Sequence, residues 1–254
     1  MERTAVIIVA GGSGRRMGEG LPKQFRFLGN TPVLARTIGL FADALPGAEI
    51  VVVLPEGHIS FWKDLAARFD VAGHRVVAGG AERFDSVRCG LKALTGDPEL
   101  IAVQDGVRPL GTAEMIRRVV RAAAEHGAAI PVVEPVDSFR QTDGPSDGAH
   151  ETERSHPVDR SRLRIVQTPQ VFRADVLRNA YAAEFRPAFT DDASVVEAAG
   201  HSVCLVPGER GNIKLTAPED FIVAEALLTA REEAEAAGAD EAAGANGREA
   251  RHAE

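Results

Sequence analysis

Short apolar runs alternate with helix-length amphipathic segments as far as Val133, and this alternation constrains the fold more than any other feature of the chain. Ala5–Ala10, Ile50–Leu54, Arg75–Ala78, Leu100–Val103 and Ala129–Val133 each read as a strand buried on both faces. Between them the pattern predicts helices over Val33–Ala44, Ser60–Phe69, Asp85–Leu94 and Thr112–His126, the first with Thr31 as N-cap and Pro32 at the first helical position. The expected architecture is α/β, a doubly wound, mostly parallel, Rossmann-like sheet. Ligands of such sheets sit at the carboxyl ends of the strands. The segments that leave those ends here are Gly11–Lys23, Gly79–Ser86 and Asp105–Pro109.

After Pro135 the rhythm breaks. Val136–Gln141 and Arg162–Gln167 are short extended runs on either side of a polar stretch, Thr142–His156. We read them as a β-arm over about residues 136–167 that projects from the sheet, the kind of element that packs on a partner subunit. Helices are expected again at Ala174–Phe185, Asp191–Ala199 and Pro218–Arg231, with a strand at Val203–Val206. From Glu232 onward Ala, Glu, Gly and Asp dominate, a composition expected of a disordered tail. The expected organisation is thus one domain over residues 1–231, arm included, followed by a tail over 232–254.

With 254 residues and 44% hydrophobic content the chain can bury a sizeable core. Its net charge of −8 argues against nucleic acid as the main partner, so any anion site must be a local concentration of Arg and Lys. Cys89 and Cys204 form neither a disulfide framework nor a zinc pattern and suit a reducing compartment. No stretch has the length of a membrane span or the build of a signal peptide, and a cytoplasmic protein is expected.

The run VIIVAGGSGRRMGEGLPKQF, Val6 to Phe25, is built for a strongly negative ligand. Gly11, Gly12 and Gly14 allow positive φ and let backbone N–H groups approach phosphate oxygens. Arg15 and Arg16 add fixed charge, and Lys23 a mobile one behind Pro22. The segment lacks the Gly-Lys-Ser/Thr of a P-loop. It also lacks the third glycine and the distant acidic residue of a dinucleotide fingerprint. Taken alone it is also compatible with a glycine-rich turn carrying surface arginines.

Other segments point to the same edge. Asp105 and Arg108 place a carboxylate and a guanidinium after the fourth strand, either as site groups or as an ion pair at a helix entry. Gly79-Gly80 permits a flat base to lie against backbone within reach of Ser86, or else forms a turn before an Asp85 N-cap. Lys214 stands between Ile213 and Leu215, so its head either reaches solvent or points into an anionic site. Arg160 lies in the arm and by itself is a surface arginine; His150 and His156 have no ligand spacing.

Together these residues resemble the 2-C-methyl-D-erythritol 4-phosphate cytidylyltransferases of the non-mevalonate isoprenoid pathway. The matching pieces are Ala10-Gly-Gly-Ser-Gly-Arg-Arg-Met17, Pro22-Lys-Gln24, Gly79-Gly80 with Arg83 and Asp85-Ser86, and Asp105 with Arg108-Pro109. Val158-Asp-Arg160, Thr168-Pro-Gln170, Thr190-Asp191 and Asn212-Ile-Lys214 complete them. The resemblance implies transfer of CMP from CTP to a sugar-alcohol phosphate with release of pyrophosphate. It also implies Mg²⁺ held mainly through the CTP phosphates, with no dedicated metal ligands, and a homodimer joined through the arms. On that pattern Arg16 and Lys23 stabilise the transition state. Ala10, Gly11, Gly12, Gly14, Gly80 and Ser86 hold the nucleotide. Asp105, Arg108, Ser138, Arg160, Thr168, Thr190 and Lys214 line the phosphosugar side, with Arg160 reaching into the neighbouring subunit.

Some positions depart from the family pattern. Gly11 stands where a second alanine is frequent, and Asp-Gly-Val-Arg-Pro replaces Asp-Ala-Ala-Arg-Pro. Ser138 replaces a usual threonine, Ala81 stands where an acidic residue occurs, and the arm tip Asp143–Ser155 is long. A phosphate monoester is already a dianion and needs no general base, which agrees with the lack of a Ser/His/Asp or Cys/His set. Two alternatives stay open at this level: a cytidylyltransferase for another polyol phosphate such as ribitol 5-phosphate, and a non-catalytic nucleotide-binding regulator.

Overall fold

The computed structural model describes residues 2–11, 21–143 and 154–249. In chain order the strands are β1 (Thr4–Val9), β2 (Phe27–Leu28), β3 (Thr31–Pro32), β4 (Glu49–Leu54), β5 (Arg75–Ala78), β6 (Leu100–Asp105) and β7 (Ala128–Val133). They are followed by β8 (Phe139–Thr142), β9 (Ser155–Val158), β10 (Ile165–Val166), β11 (Gln170–Arg173) and β12 (Cys204–Pro207). The helices are α1 (Val33–Ala44), α2 (Ile59–Arg68), α3 (Arg83–Ala93), α4 (Ala113–His126), α5 (Ala174–Ala180), α6 (Asp192–Ala198) and α7 (Pro218–Glu249). Among the described residues no helix is long and apolar enough to cross a membrane.

One eight-stranded sheet runs in the order β10-β7-β11-β6-β1-β4-β5, with β12 also paired to β7. β1 is parallel to β4 and β6, and β4 is parallel to β5. Strict alternation along β1 splits the core. Val6 and Ile8 face α1, α2 and α4, packing with Ile38, Phe41, Trp62, Ile116 and Val119. Ala5, Ile7 and Val9 face α3, α5 and α6, packing with Val87, Leu91, Leu177 and Val196. The expected doubly wound α/β sheet is therefore present, with helices on both faces. A third cluster, Leu28, Val33, Val107, Leu110, Leu215 and Phe221, docks α7 over the carboxyl edge of the sheet.

Several boundaries differ from the sequence reading. Thr31 and Pro32 pair with Leu28 and Phe27 as a small hairpin instead of opening α1. Gly29, at φ +57°, turns the chain between the two strands, and α1 begins at Val33 with no side-chain cap. The arm is a two-stranded ribbon, but β8 pairs with Ser155–Val158 and not with Arg162–Gln167. The cause is Asp159, whose carboxylate accepts from the Ser161 N–H and hydroxyl and closes a 3-10 turn over Arg160–Arg162. Of the expected run only Ile165–Val166 is strand, and it joins the main sheet beside β7.

β11, which the sequence reading had not separated, lies antiparallel between β6 and β7. α5 stops at Ala180, short of Phe185, where Tyr181 takes over the cap position. α7 continues past Arg231 to Glu249, in place of a disordered stretch from Glu232, because Ala and Glu favour a helix even without a packed face. Most of the arm tip, residues 144–153 with His150, lies outside the described residues.

Candidate active site

Asp105 is the last residue of β6 and sits beside Val9, so it closes the sheet edge next to the start of the glycine-rich segment. It is buried, yet three cations converge on it. Lys214 Nζ lies 2.9 Å from Oδ2, Arg108 Nε donates to the same oxygen at 3.3 Å, and Arg83 Nε is 3.6 Å from Oδ1. Burial alone would raise the Asp105 pKa; Arg83, Lys214 and Arg108 outweigh it and bring it down to about 2. Arg108 reaches back one turn, a geometry set by its own N–H donating to the Asp105 carbonyl at 3.1 Å. Its other end donates to the Asn212 carbonyl at 2.9 Å, which ties the loop bearing Lys214 to β6.

Arg83, quoted above for the resemblance but not assigned to the site, is the strut of this edge. Its guanidinium grips Asp192 with two hydrogen bonds, of 3.0 and 2.7 Å, while its Nε faces Asp105. Burial works against the Arg83 charge, but Asp192 and Asp105 overcome it and raise its pKa. Asp192 is fully buried and also accepts from Tyr181 Oη at 2.6 Å. Burial, with the adjacent Asp192 charge, pushes the Tyr181 hydroxyl up, so it stays a donor. The Thr190-Asp191-Asp192 signal was therefore double: Asp191 caps α6 by accepting from the Ser194 N–H at 2.9 Å, and Asp192 holds Arg83.

At the start of α3 Gly80 N–H donates to Ser86 Oγ at 3.3 Å, and Ser86 Oγ donates to the Glu82 carbonyl at 3.1 Å. A Cβ on Gly80 would stand 2.3 Å from Asp85 Cβ, so only glycine fits against the start of α3. The N-cap of α3 is Glu82 and not Asp85; the two form a reciprocal capping box. Ser86 Oγ also lies 4.0 Å from where a Cβ on Gly11 would be, so Gly11, Gly80 and Ser86 lie together. Gly12, Gly14, Arg15 and Arg16 lie outside the described residues.

Lys23 begins a 3-10 turn, Lys23–Phe25, whose Gln24 donates from Nε2 to the Ala10 carbonyl at 2.9 Å. The lysine is thereby pinned to the mouth of the glycine-rich segment. Asp220, in the first turn of α7, accepts from Thr216 N, Thr216 Oγ1 and Ala217 N at 2.6–2.8 Å. Burial would raise the Asp220 pKa, but those bonds, with the Lys23 ammonium nearby, hold it below the usual carboxylate range. Asp220 thus brings Lys23 near the Thr216–Ala217 backbone, two residues after Lys214 in sequence. The two options for Lys214 resolve as an ammonium turned to Asp105, with the side chain still 42% exposed.

Beside Asp105, Thr168 Oγ1 accepts from the Asp105 N–H at 3.1 Å, and Asn212 Nδ2 donates to the Thr168 carbonyl at 2.9 Å. Thr190 is exposed just ahead of the α6 cap. Ser138 and Arg160 stand apart. Both are exposed on the arm, and the Arg160 guanidinium donates to the Val136 carbonyl. Among the described residues no hydrogen bond or ion pair joins either of them to Asp105 or Lys214. Nor does any group of three His, Cys, Asp or Glu side chains converge as metal ligands among the described residues.

Residues 4–230 match the IspD family, 2-C-methyl-D-erythritol 4-phosphate cytidylyltransferase. The chain belongs to this family. It is 47% identical to the 2-C-methyl-D-erythritol 4-phosphate cytidylyltransferase of Bacteroides thetaiotaomicron over 89% of its own length and 100% of the relative's. To the enzyme of that name from Symbiobacterium thermophilum the identity is 44%, over 88% of this chain and 92% of the relative. Among solved structures, the 4-diphosphocytidyl-2C-methyl-D-erythritol synthase of Anaerococcus prevotii superposes with a TM-score of 0.74. It is 30% identical and covers 90% of this chain and 96% of its own. The Thermus thermophilus cytidylyltransferase gives a TM-score of 0.69 at 33% identity, over 89% and 98%. Membership makes this cytidylyltransferase a nucleotidyltransferase enzyme of the isoprenoid pathway family, with the α/β fold of its relatives.

Proposed function

We propose that the protein transfers CMP from CTP to 2-C-methyl-D-erythritol 4-phosphate, giving 4-diphosphocytidyl-2-C-methyl-D-erythritol and pyrophosphate. A non-bridging oxygen of the phosphate monoester attacks the α-phosphorus of CTP; the bond to the β-phosphate oxygen breaks, and pyrophosphate carries the electron pair away. Both reactants are anions, so the protein's task is to hold them in line and offset their repulsion. The observation that carries the reading is the convergence of Lys214, Arg108 and Arg83 at the carboxyl edge of the sheet, in a chain matching the family over residues 4–230. Asp105, itself buried, orients these cations.

In this reading Arg16 and Lys23 neutralise charge on the triphosphate, and Ala10, Gly11, Gly12, Gly14, Gly80 and Ser86 receive the cytidine. Lys214, Arg108, Thr168, Thr190 and Ser138 receive the phosphosugar. Asp105, the carboxylate on which the cations converge among the described residues, already has cations on both oxygens. That donor set suits Mg²⁺ carried in on the CTP phosphates, where it supplies further charge neutralisation, and not an ion caged by the protein. The protein acts in the cytoplasm as a homodimer joined through the β8–β9 ribbon, which leaves Val136 and Phe139 exposed in the single chain. Arg160 then serves the neighbouring subunit's site. Residues 1–231 form one domain that carries the activity.

Pyrophosphate release from CTP tests the whole reading, with methylerythritol phosphate and ribitol phosphate assayed in parallel. Release with the first and not the second is expected. Preference for ribitol phosphate would reassign the substrate, and no release with either would leave a nucleotide-binding regulator.

A further inference from the structure

Phe25, two residues after Lys23, is fully buried in an aromatic cage supplied by α2 and the turn before it. The His58 ring meets it edge-on at 5.6 Å, Phe61 lies at 5.2 Å, and Trp62 stacks at 6.0 Å with the planes 18° apart. Behind this cage Trp62 is itself fully buried, and its Nε1–H donates to His74 Nε2 at 2.9 Å. His74 Nδ1 is 2.8 Å from the Ala72 carbonyl oxygen. A carbonyl only accepts and an indole N–H only donates, so Nδ1 carries the proton and Nε2 the lone pair. Both ring nitrogens are used, and the imidazole is fixed as one neutral tautomer.

The turn between Pro22 and Arg26 is closed by Phe25 N–H to the Pro22 carbonyl at 2.9 Å and by Arg26 N–H to the Lys23 carbonyl at 3.3 Å. Lys23 therefore has little backbone freedom of its own. Its position is set by two anchors: Gln24 on the Ala10 carbonyl, and Phe25 in the column Phe25–Trp62–His74. A lysine ammonium on a four-carbon stem is a poorly defined charge unless the main chain beneath it is held. The apolar core alone would have been served by any large side chain at 62. The hydrogen bond to His74 fixes instead the rotation of the indole plane that Phe25 lies against.

We infer that Trp62 and His74 are positioning residues for Lys23: their hydrogen bond orients the ring on which Phe25 is stacked, and so sets where the Lys23 ammonium meets the triphosphate. The inference rests on the reading of Lys23 as a group acting in the transition state. Its mark is dependence on Lys23. A misplaced transition-state charge lowers kcat and leaves the KM for CTP nearly unchanged, and the loss vanishes once the lysine is gone.

The test is a cycle of turnover measurements on the full chain with CTP and methylerythritol phosphate. His74→Leu, which leaves the indole N–H without its acceptor, is expected to lower kcat about tenfold with the KM for CTP within about twofold. His74→Gln, whose amide oxygen can take the place of Nε2, is expected to stay within about threefold of wild type. In a Lys23→Ala background, His74→Leu is expected to cost less than about twofold more. Trp62 is the only tryptophan in the chain, so its emission reports whether the stack stays intact in each His74 variant. If His74→Leu does not fold, Trp62→Phe takes its place in the same cycle, since it keeps an aromatic ring and removes only the donor and the second ring.

Wild-type kcat in these variants overturns the inference, and so does a loss that persists undiminished without Lys23. Near-normal turnover in Lys23→Ala alone overturns the reading of Lys23 itself, a separate result.

Discussion

The Lys214 ammonium rests 2.9 Å from the Asp105 carboxylate, although one residue lies in the loop before α7 and the other ends β6. Arg108 locks that contact by holding the Asn212 carbonyl two residues before the lysine. The Lys214–Asp105 pair is thus assembled by long-range folding and not by any local motif. In the proposed function an entering phosphate would compete with Asp105 for the same ammonium.

Lys23→Ala should cut turnover by about 100-fold or more with the fold intact, the scale of a single electrostatic donor in a water-poor site. Steady-state kinetics with circular dichroism as a fold control checks it. A near-normal turnover number would count decisively against the assignment.

Asp105 gives a pH signature with a definite sign. Its folded pKa of about 2 lies below the value of about 3.9 expected in the unfolded chain, so its stabilisation is complete above the unfolded value and is lost as pH falls towards the folded one. Urea unfolding should show roughly 2 kcal/mol of stability disappearing between about pH 4 and pH 2 in wild type, and a flatter profile in Asp105→Asn. Identical profiles would mean that the carboxylate is not held by its three cations.

Arg83→Lys keeps the charge but gives up the two-pronged grip on Asp192. Because Asp192 is fully buried, the variant should lose about 2–3 kcal/mol of stability, below the cost of leaving that carboxylate with no cation at all. Chemical denaturation measures this. The KM for CTP should rise with it, since α3 begins at Arg83 and carries Ser86.

Mixed dimers test the arm. Subunits with Arg160→Ala paired with Lys23→Ala subunits should recover partial activity, because one of the two sites then has both residues intact. Dimers confirmed as mixed by mass that stay inactive would place Arg160 outside the shared site.

Much of this was legible in the sequence. The bounds of β5 and the end of α1 at Ala44 match the sequence pattern, whereas the Thr31–Pro32 entry to α1 does not. Asp105, Arg108, Thr168 and Lys214 were named before the fold was known, and the fold brings them together. What escaped was set by pairings that no local pattern encodes. β11 is a four-residue strand whose place between β6 and β7 is decided by two distant partners. The return strand of the arm was misplaced because Asp159 turns the chain where apolar content suggested extension. Arg83 was in plain view within a recognised segment, but its role depends on Asp192 and Tyr181, which only tertiary contact supplies.

The antiparallel insertion of β11 ties the ribbon to the middle of the sheet. The chain leaves the ribbon, passes β10, and enters the middle of the sheet two residues after Thr168, whose hydroxyl accepts the Asp105 amide. Trimming the ribbon would therefore slacken the lead-in to a central strand and unseat Asp105 at the same stroke. For the proposed homodimer, surface substitutions at the exposed Val136 or Phe139 are the cleaner test of whether the ribbon joins subunits.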